Sequence, residues 1–155
     1  MDGTLTNSEP LWEEATFYLS ETLGRRLTPT ERLATVGATF EDTLSICAHK
    51  AGVSLQPGDS ERYRALMFDY VRSLFAQHLE IFPGIPELLD ELKGLGMPMI
   101  VTTNTERYVA DSAIAALGRE YFVDTICGDE VPHGKPAPDM YIEAARRVGA
   151  DPRDC

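Results

Sequence analysis

The sequence predicts an α/β fold in which a core built on a parallel sheet is interrupted by an inserted bundle of helices. Two observations carry this prediction. Between residues 11 and 79 the apolar residues recur at helical spacing only. After residue 81, short apolar runs alternate with helical patterns, which is typical of a parallel sheet with helices on both faces.

Four helices are predicted in the inserted segment, and each has its own signal. The first has one apolar face over residues 11–24, and the second is opened by a capping box at residues 28–31. Thr39 is placed to cap the third helix, which covers residues 40–51. A broad apolar stripe over residues 63–79 defines the fourth. The segment therefore reads as a small helical bundle.

The elements after the insertion alternate between helix and strand. In chain order they are a helix ending at Gly96, a strand over 97–103, a helix over 109–117, a strand over 121–127 and a helix over 139–148. Ligands of parallel sheets bind beyond the carboxyl ends of the strands. Thr103, at such an end, is where a site is expected.

These patterns also give the domain boundaries. Residues 1–10 and 80–155 are predicted to form the α/β core, and residues 11–79 the helical insertion. The chain crosses between the two near residues 8–10 and 81–84, and both crossings contain proline.

Composition excludes several classes of function. The 14 Lys and Arg against 25 Asp and Glu give a net charge of -11, and no basic run is present to follow a nucleic-acid backbone. No apolar stretch approaches the roughly 20 residues that span a bilayer. The three cysteines, Cys47, Cys127 and Cys155, are too scattered for a disulfide or zinc framework, which favours the cytoplasm. We expect a monomer or a weak dimer.

Three short polar motifs stand in a fixed order along the chain. Asp-Gly-Thr-Leu occupies residues 2–5, Thr-Thr-Asn closes an apolar run at residues 102–104, and Lys-Pro-Ala-Pro occupies residues 135–138. Together they resemble the haloacid dehalogenase superfamily, and within it the phosphoglycolate phosphatases and β-phosphoglucomutases with a helical cap. The resemblance implies a Rossmann-like sheet, a mobile helical cap over the cleft, and phosphoryl transfer through an aspartyl-phosphate.

The resemblance also implies a role for each motif. Asp2 would be the general acid and base, and its main-chain carbonyl would bind Mg²⁺. The hydroxyl of Thr103 and the main-chain N–H groups after it, beginning at Asn104, would bind the transferred phosphoryl oxygens. Thr102 is the alternative if the register is shifted by one. The Lys135 ammonium would neutralise the phosphate and the surrounding carboxylates.

The same family pattern places two elements outside residues 1–155. The nucleophilic Asp would lie directly before Met1, and an acidic pair that completes the Mg²⁺ site would follow Cys155. We therefore expect a piece truncated at both ends, inactive by itself, from a longer enzyme.

Asp2 favours phosphoryl transfer over dehalogenation, because a departing halide needs no proton. The cap loop that begins at Gly37 resembles that of β-phosphoglucomutase, and Gly37 is a candidate substrate contact. Val36 and Phe40 replace the two cations of that loop, so we favour a hydrolase of a small phosphomonoester, of the phosphoglycolate or sugar phosphate class. A mutase, or a non-catalytic member that uses its helices as a binding module, remains the alternative.

Overall fold

The computed structural model describes residues 1–155, which divide into two compact units. The α/β unit consists of Met1–Ser8 and Leu79–Cys155, and the helical unit is Glu9–His78. The assignment of the helical unit as a cap, with the predicted boundaries at residues 11 and 79, stays a prediction. None of the helices combines the length and the apolar character that a membrane crossing requires.

The helical unit contains four α-helices, and a 3₁₀ turn at Leu33–Thr35 follows the second. The predicted capping box is present: the Thr28 hydroxyl accepts a hydrogen bond from the Glu31 N–H, and the Glu31 carboxylate accepts one from the Thr28 N–H. The third helix has the predicted bounds and the predicted Thr39 cap. The helices are α1 (Glu9–Thr22), α2 (Pro29–Arg32), α3 (Phe40–Ala51) and α4 (Asp59–His78).

Aromatic and aliphatic side chains form the interior of the helical unit. Leu19 and Val71 are fully buried, on α1 and α4 respectively. The Trp12 ring meets the rings of Phe68 and Phe75 edge-on, with centroid distances of 6.3 and 6.0 Å. This arrangement is the favoured one for aromatic pairs. The apolar stripe of α4 is thus used inside the unit.

The α/β unit contains two parallel strands and three helices. Ile100 is opposite Asp124 and Thr102 is opposite Ile126 in the strand register. Both strands are shorter than predicted, since only residues 100–102 and 124–126 are paired. A 3₁₀ turn at Arg119–Tyr121 precedes the second strand and includes the first residue predicted for it. The elements are α5 (Ile85–Gly94), β1 (Ile100–Thr102), α6 (Arg107–Leu117), β2 (Asp124–Ile126) and α7 (Asp139–Val148).

The first eight residues are fixed to the rest of the α/β unit by their main chain. The Asn7 N–H donates to the Glu80 carbonyl at 2.9 Å, and the Phe82 N–H donates to the Leu5 carbonyl at 3.1 Å. The Met1 side chain packs on a buried cluster formed by Val101, Ala110, Ile114 and Cys127. The segment that carries Asp2 is therefore held beside β1.

Candidate active site

The Asp2 carboxylate lies just beyond the carboxyl end of β1 and is surrounded by hydroxyl groups. Its Oδ2 atom accepts hydrogen bonds from the hydroxyls of Thr103, at 3.2 Å, and Thr105, at 3.0 Å. Its Oδ1 atom accepts one from the Ser8 hydroxyl at 2.8 Å. An ionised carboxylate can only accept hydrogen bonds, and each of these hydroxyls can supply one. The start of the chain and the end of β1 thus meet at one polar centre.

Thr103 and Thr102 make different contributions to this centre. Thr103 is 3% exposed, and its N–H donates to the Ile126 carbonyl at 3.0 Å, which fixes the residue directly after the strand. Its hydroxyl also accepts the Thr105 N–H at 3.2 Å. Thr102 contributes its main-chain carbonyl instead. Of the two, Thr103 is the one whose hydroxyl contacts Asp2.

Lys135 brings a positive charge to the same strand end. Its Nζ atom donates to the Thr102 carbonyl at 2.9 Å and lies 5.3 Å from the centroid of the Tyr141 ring. The carbonyl that Lys135 contacts belongs to the residue directly before Thr103, whose hydroxyl contacts Asp2. The acidic and basic groups therefore lie at the same strand end.

Asn104 lies in the same region, and its side chain contacts the loop that carries Lys135. The resemblance assigned Asn104 to phosphate binding, beginning with its main-chain N–H. In the structure the side-chain amide is bonded to the main chain of Lys135, through both its nitrogen and its oxygen. Binding of phosphoryl oxygens at Asn104, through its main-chain N–H, stays a prediction.

Gly37 belongs to the helical unit, whereas the residues just described belong to the α/β unit. Its φ angle is +72°. Two residues later, the Thr39 hydroxyl accepts the Asp42 N–H at 3.1 Å, so helix capping accounts for Thr39 and Asp42. The substrate contact predicted for Gly37 stays a prediction.

Sequence reasoning missed two of the hydroxyls around Asp2. Thr105 follows Thr103 by two residues, but the chain bends at residues 104 and 105, so the side-chain alternation of an extended strand gave no signal for its contact. Ser8 had no signal either. Its contact with Asp2 depends on the turn at the start of the chain, where the Leu5 N–H donates to the Met1 carbonyl at 2.8 Å.

An ion pair that the sequence did not reveal holds the loop after β2. Arg107 donates to Glu130 through Nε at 2.9 Å and through Nη2 at 2.6 Å. The same guanidinium donates to the Thr125 hydroxyl at 2.7 Å, and the Cys127 N–H donates to Glu130 at 2.9 Å. The Arg107 side chain lowers the pKa of the Glu130 carboxyl, as expected for a bidentate pair. The loop that leads to Lys135 is thereby tied to the start of α6.

The residues present do not form a complete Mg²⁺ site. No group of three or more His, Cys, Asp or Glu side chains is placed to hold a metal ion. Both carboxylate oxygens of Asp2 are bonded to hydroxyls, which leaves its main-chain carbonyl as the one ligand suggested by the resemblance. Because Mg²⁺ takes near-octahedral oxygen coordination, further ligands are required. Asp2, Thr103 and Lys135 can therefore act on a substrate without themselves completing a metal site.

Comparison with known proteins decides the family. The sequence model of a family described as haloacid dehalogenase-like hydrolase matches residues 1–155. The chain belongs to the haloacid dehalogenase-like hydrolases. The resemblance inferred from the three motifs is confirmed, and so is the predicted α/β fold class.

Two relatives and one solved structure illustrate the similarity. The fructose-1-phosphate phosphatase YqaB of Escherichia coli is 31% identical over 160 residues, covering 100% of this chain and 80% of that protein. A phosphoglycolate phosphatase of Neisseria gonorrhoeae is 28% identical over 158 residues, covering 97% of this chain and 65% of the relative. The crystal structure of CbbY from Rhodobacter sphaeroides in complex with phosphate has a TM-score of 0.83 and 25% identity, covering 99% of this chain and 72% of that one.

Proposed function

We propose that this chain belongs to a phosphatase that hydrolyses small phosphorylated metabolites of the phosphoglycolate or sugar phosphate class. One observation carries the proposal: the Asp2 carboxylate, the Thr103 hydroxyl and the Lys135 ammonium are placed together at the end of β1. A general acid, a neutral hydrogen-bond donor and a cation are among the groups that phosphoryl transfer uses. The names of the two relatives, a fructose-1-phosphate phosphatase and a phosphoglycolate phosphatase, support the substrate class.

The proposed reaction has two steps. A carboxylate nucleophile attacks phosphorus, the bond to the leaving oxygen breaks, and Asp2 gives that oxygen its proton. Asp2 then takes a proton from a water molecule, which attacks the aspartyl-phosphate and releases inorganic phosphate. With substrate bound, the Thr103 hydroxyl would turn its single proton from Asp2 to a phosphoryl oxygen, and Lys135 would offset the negative charge of the group in transfer.

The nucleophile is proposed to be an Asp directly before Met1, since residues 1–4, Met-Asp-Gly-Thr, fit the last four positions of the family's first motif, Asp-x-Asp-Gly-Thr. We also propose that activity depends on Mg²⁺, with carboxylate ligands beyond those of this sequence. The main-chain carbonyl of Asp2 would be the ligand that this chain contributes. By itself the chain is then expected to be inactive.

A phosphatase assay on the full-length protein tests the proposal. Release of inorganic phosphate is measured with phosphoglycolate and fructose 1-phosphate, in Mg²⁺ and in excess EDTA. We expect turnover in Mg²⁺ only. Asp2→Asn should lower kcat by about 10²-fold to 10⁴-fold, the usual contribution of a general acid.

Lys135→Met should also reduce activity strongly. The matched control is Lys93→Met, because Lys93 is exposed on α5 and its ammonium lies 5.1 Å from the Tyr121 ring centroid, among residues with no proposed role. Full activity in Asp2→Asn and Lys135→Met would refute the proposed roles. Isomerisation of a sugar phosphate without net phosphate release would favour the mutase, and absence of both activities would favour a binding module.

A further inference from the structure

We propose that Asn104 is a positioning residue, whose side-chain amide fixes the main chain of Lys135 and thereby aims the Lys135 ammonium at the phosphate site. The inference rests on the proposed function, because it takes Lys135 as the phosphate-binding cation. It assigns the Asn104 side chain to Lys135 and not to the substrate.

Two reciprocal hydrogen bonds join these residues. The Lys135 N–H donates to Asn104 Oδ1 at 2.7 Å, and Asn104 Nδ2 donates to the Lys135 carbonyl at 3.0 Å. An amide has one acceptor group and one donor group, and here both are bonded to the main chain of a single residue. Such a two-point contact fixes orientation as well as position.

Two glycines make room for this contact. A Cβ atom at Gly128 would lie 2.2 Å from the Asn104 main-chain carbonyl oxygen, and one at Gly134 would lie 2.8 Å from Asn104 Oδ1. Neither glycine has a positive φ angle, so the backbone conformation does not demand glycine at either position. Close approach of Asn104 is the remaining physical reason for both. The loop after β2 thus surrounds Asn104 on two sides.

Holding the main chain of Lys135 also restricts its side chain. The Lys135 ammonium donates to the carbonyl of Thr102, two residues before Asn104. Both ends of the lysine are therefore fixed to the same short segment at the end of β1. A lysine side chain loses rotamer freedom when it is ordered, so a fixed main chain reduces the range of positions from which the ammonium must be ordered. An anchored main chain lets the ammonium reach the strand end from one fixed direction.

A double-mutant cycle on the full-length protein separates positioning from direct binding. The dissociation constant of inorganic phosphate is measured for the wild type, Asn104→Ala, Lys135→Met and the double variant, after thermal unfolding shows that each is folded. Loss of a charged hydrogen bond weakens binding by about tenfold or more. We expect that loss in each single variant and no further loss in the double variant.

Each other outcome has a definite meaning. Losses that multiply in the double variant would show that Asn104 acts on phosphate independently of Lys135, and would overturn the inference. Wild-type affinity in Asn104→Ala, with loss in Lys135→Met, would also overturn it while leaving the proposed function intact. If Lys135→Met binds phosphate like the wild type, or the wild type does not bind it, the proposed function fails together with the aiming role.

A glycine variant tests the contact from the other side. Gly134→Ala places a methyl group against Asn104 Oδ1 and should reproduce the loss of phosphate affinity seen in Asn104→Ala. In the Asn104→Ala background the same change should have no effect. Gly94→Ala is the matched control, because Gly94 is in a helix with nothing within 4 Å of its Cβ position.

Hydrogen exchange of the Lys135 amide gives a readout that needs no ligand. Its exchange should be slow in the wild type and faster in both Asn104→Ala and Gly134→Ala. Equal exchange rates in the wild type and Asn104→Ala would show that the two-point contact does not exist in solution.

Discussion

At the residue scale, the candidate site depends on which hydroxyl follows β1 at the correct position. Thr102 and Thr103 are adjacent and chemically identical, yet only the Thr103 hydroxyl reaches the Asp2 carboxylate. The alternation of side chains along an extended chain explains the difference, since neighbours point to opposite sides. A shift of one residue along the chain therefore determines which hydroxyl lies beside Asp2 and can bind phosphate.

Thr103→Val should lower phosphate affinity about tenfold, because it removes one hydroxyl donor and preserves the shape of the side chain. Thr102→Val is the matched control, since the Thr102 side chain has no hydrogen bond in the structure and its carbonyl is retained. The affinity of both variants for inorganic phosphate can be measured by calorimetry. A larger loss in Thr102→Val would reverse the assignment.

Glu31 provides a second residue-scale prediction, in the helical unit. The Thr28 N–H, and after it the Arg25 guanidinium, lower the pKa of the Glu31 carboxyl from 4.5 to about 2. A carboxyl with a depressed pKa in the folded state stabilises the fold above its unfolded pKa, and that stabilisation is lost as the pH falls from 4.5 toward 2.

Glu31→Gln should therefore lower the melting temperature at pH 6.5, and the difference from the wild type should shrink at pH 3. Thermal unfolding followed by circular dichroism measures both differences. Glu13→Gln, a change at an exposed carboxylate of α1 that caps no helix, is the control. A Glu31→Gln difference that is equal at the two pH values would contradict the role of the charge.

At the element scale, the helices of the α/β unit have one buried face and one exposed face. Ile114 on α6 is fully buried, whereas Ile142 on α7 is 52% exposed. Ile114 belongs to the cluster on which Met1 packs, so α6 supports the segment that carries Asp2. Stability and site geometry are therefore coupled through this helix.

Ile114→Ala should lower the free energy of unfolding by about 2–5 kcal/mol, through lost burial and the cavity that remains. The same change at Ile142 is the matched control and should alter stability by about 0.5 kcal/mol or less. Urea unfolding of both variants gives the comparison. Similar losses at the two positions would show that α6 is not packed as described.

The sequence predicted the helices better than it predicted the strands and the loops. Capping signals are local, so Thr28, Glu31 and Thr39 could be assigned from the sequence alone. The strand ends depend on pairing between distant segments, and the 3₁₀ turn at Arg119–Tyr121 shortens the second strand.

In the candidate site too, local features could be predicted from the sequence and contacts between distant residues could not. The three motifs follow a spacing that could be read along the chain, but the contacts of Asn104 with Lys135 join positions 31 residues apart. No local pattern reports such a contact. The close approach of Asn104 to Gly134 became visible only with the loops in place.

At the whole-molecule scale, the three cysteines report how well the chain is packed. Cys47 and Cys127 are buried, and burial raises the pKa of each thiol to about 11. Cys155 is exposed. The thiolate is the reactive form of cysteine. Cys47 and Cys127 are therefore protected from thiol reagents both by burial and by a pKa that keeps them protonated at neutral pH.

One thiol of the 155-residue chain should react rapidly with Ellman's reagent at pH 8, and all three should react in denaturant. A Cys155→Ser variant should lose the rapid phase. Rapid reaction of all three thiols without denaturant would show that the helical unit does not bury Cys47 and that the α/β unit does not bury Cys127.

The most direct test of the central claim is a crystal structure of the full-length protein with inorganic phosphate. We predict phosphate oxygens at hydrogen-bond distance, about 2.6–3.2 Å, from Thr103 Oγ1 and Lys135 Nζ, with the Asp2 carboxylate beside the same phosphate. A phosphate bound elsewhere on the molecule, with these three side chains making no contact to it, would contradict the account.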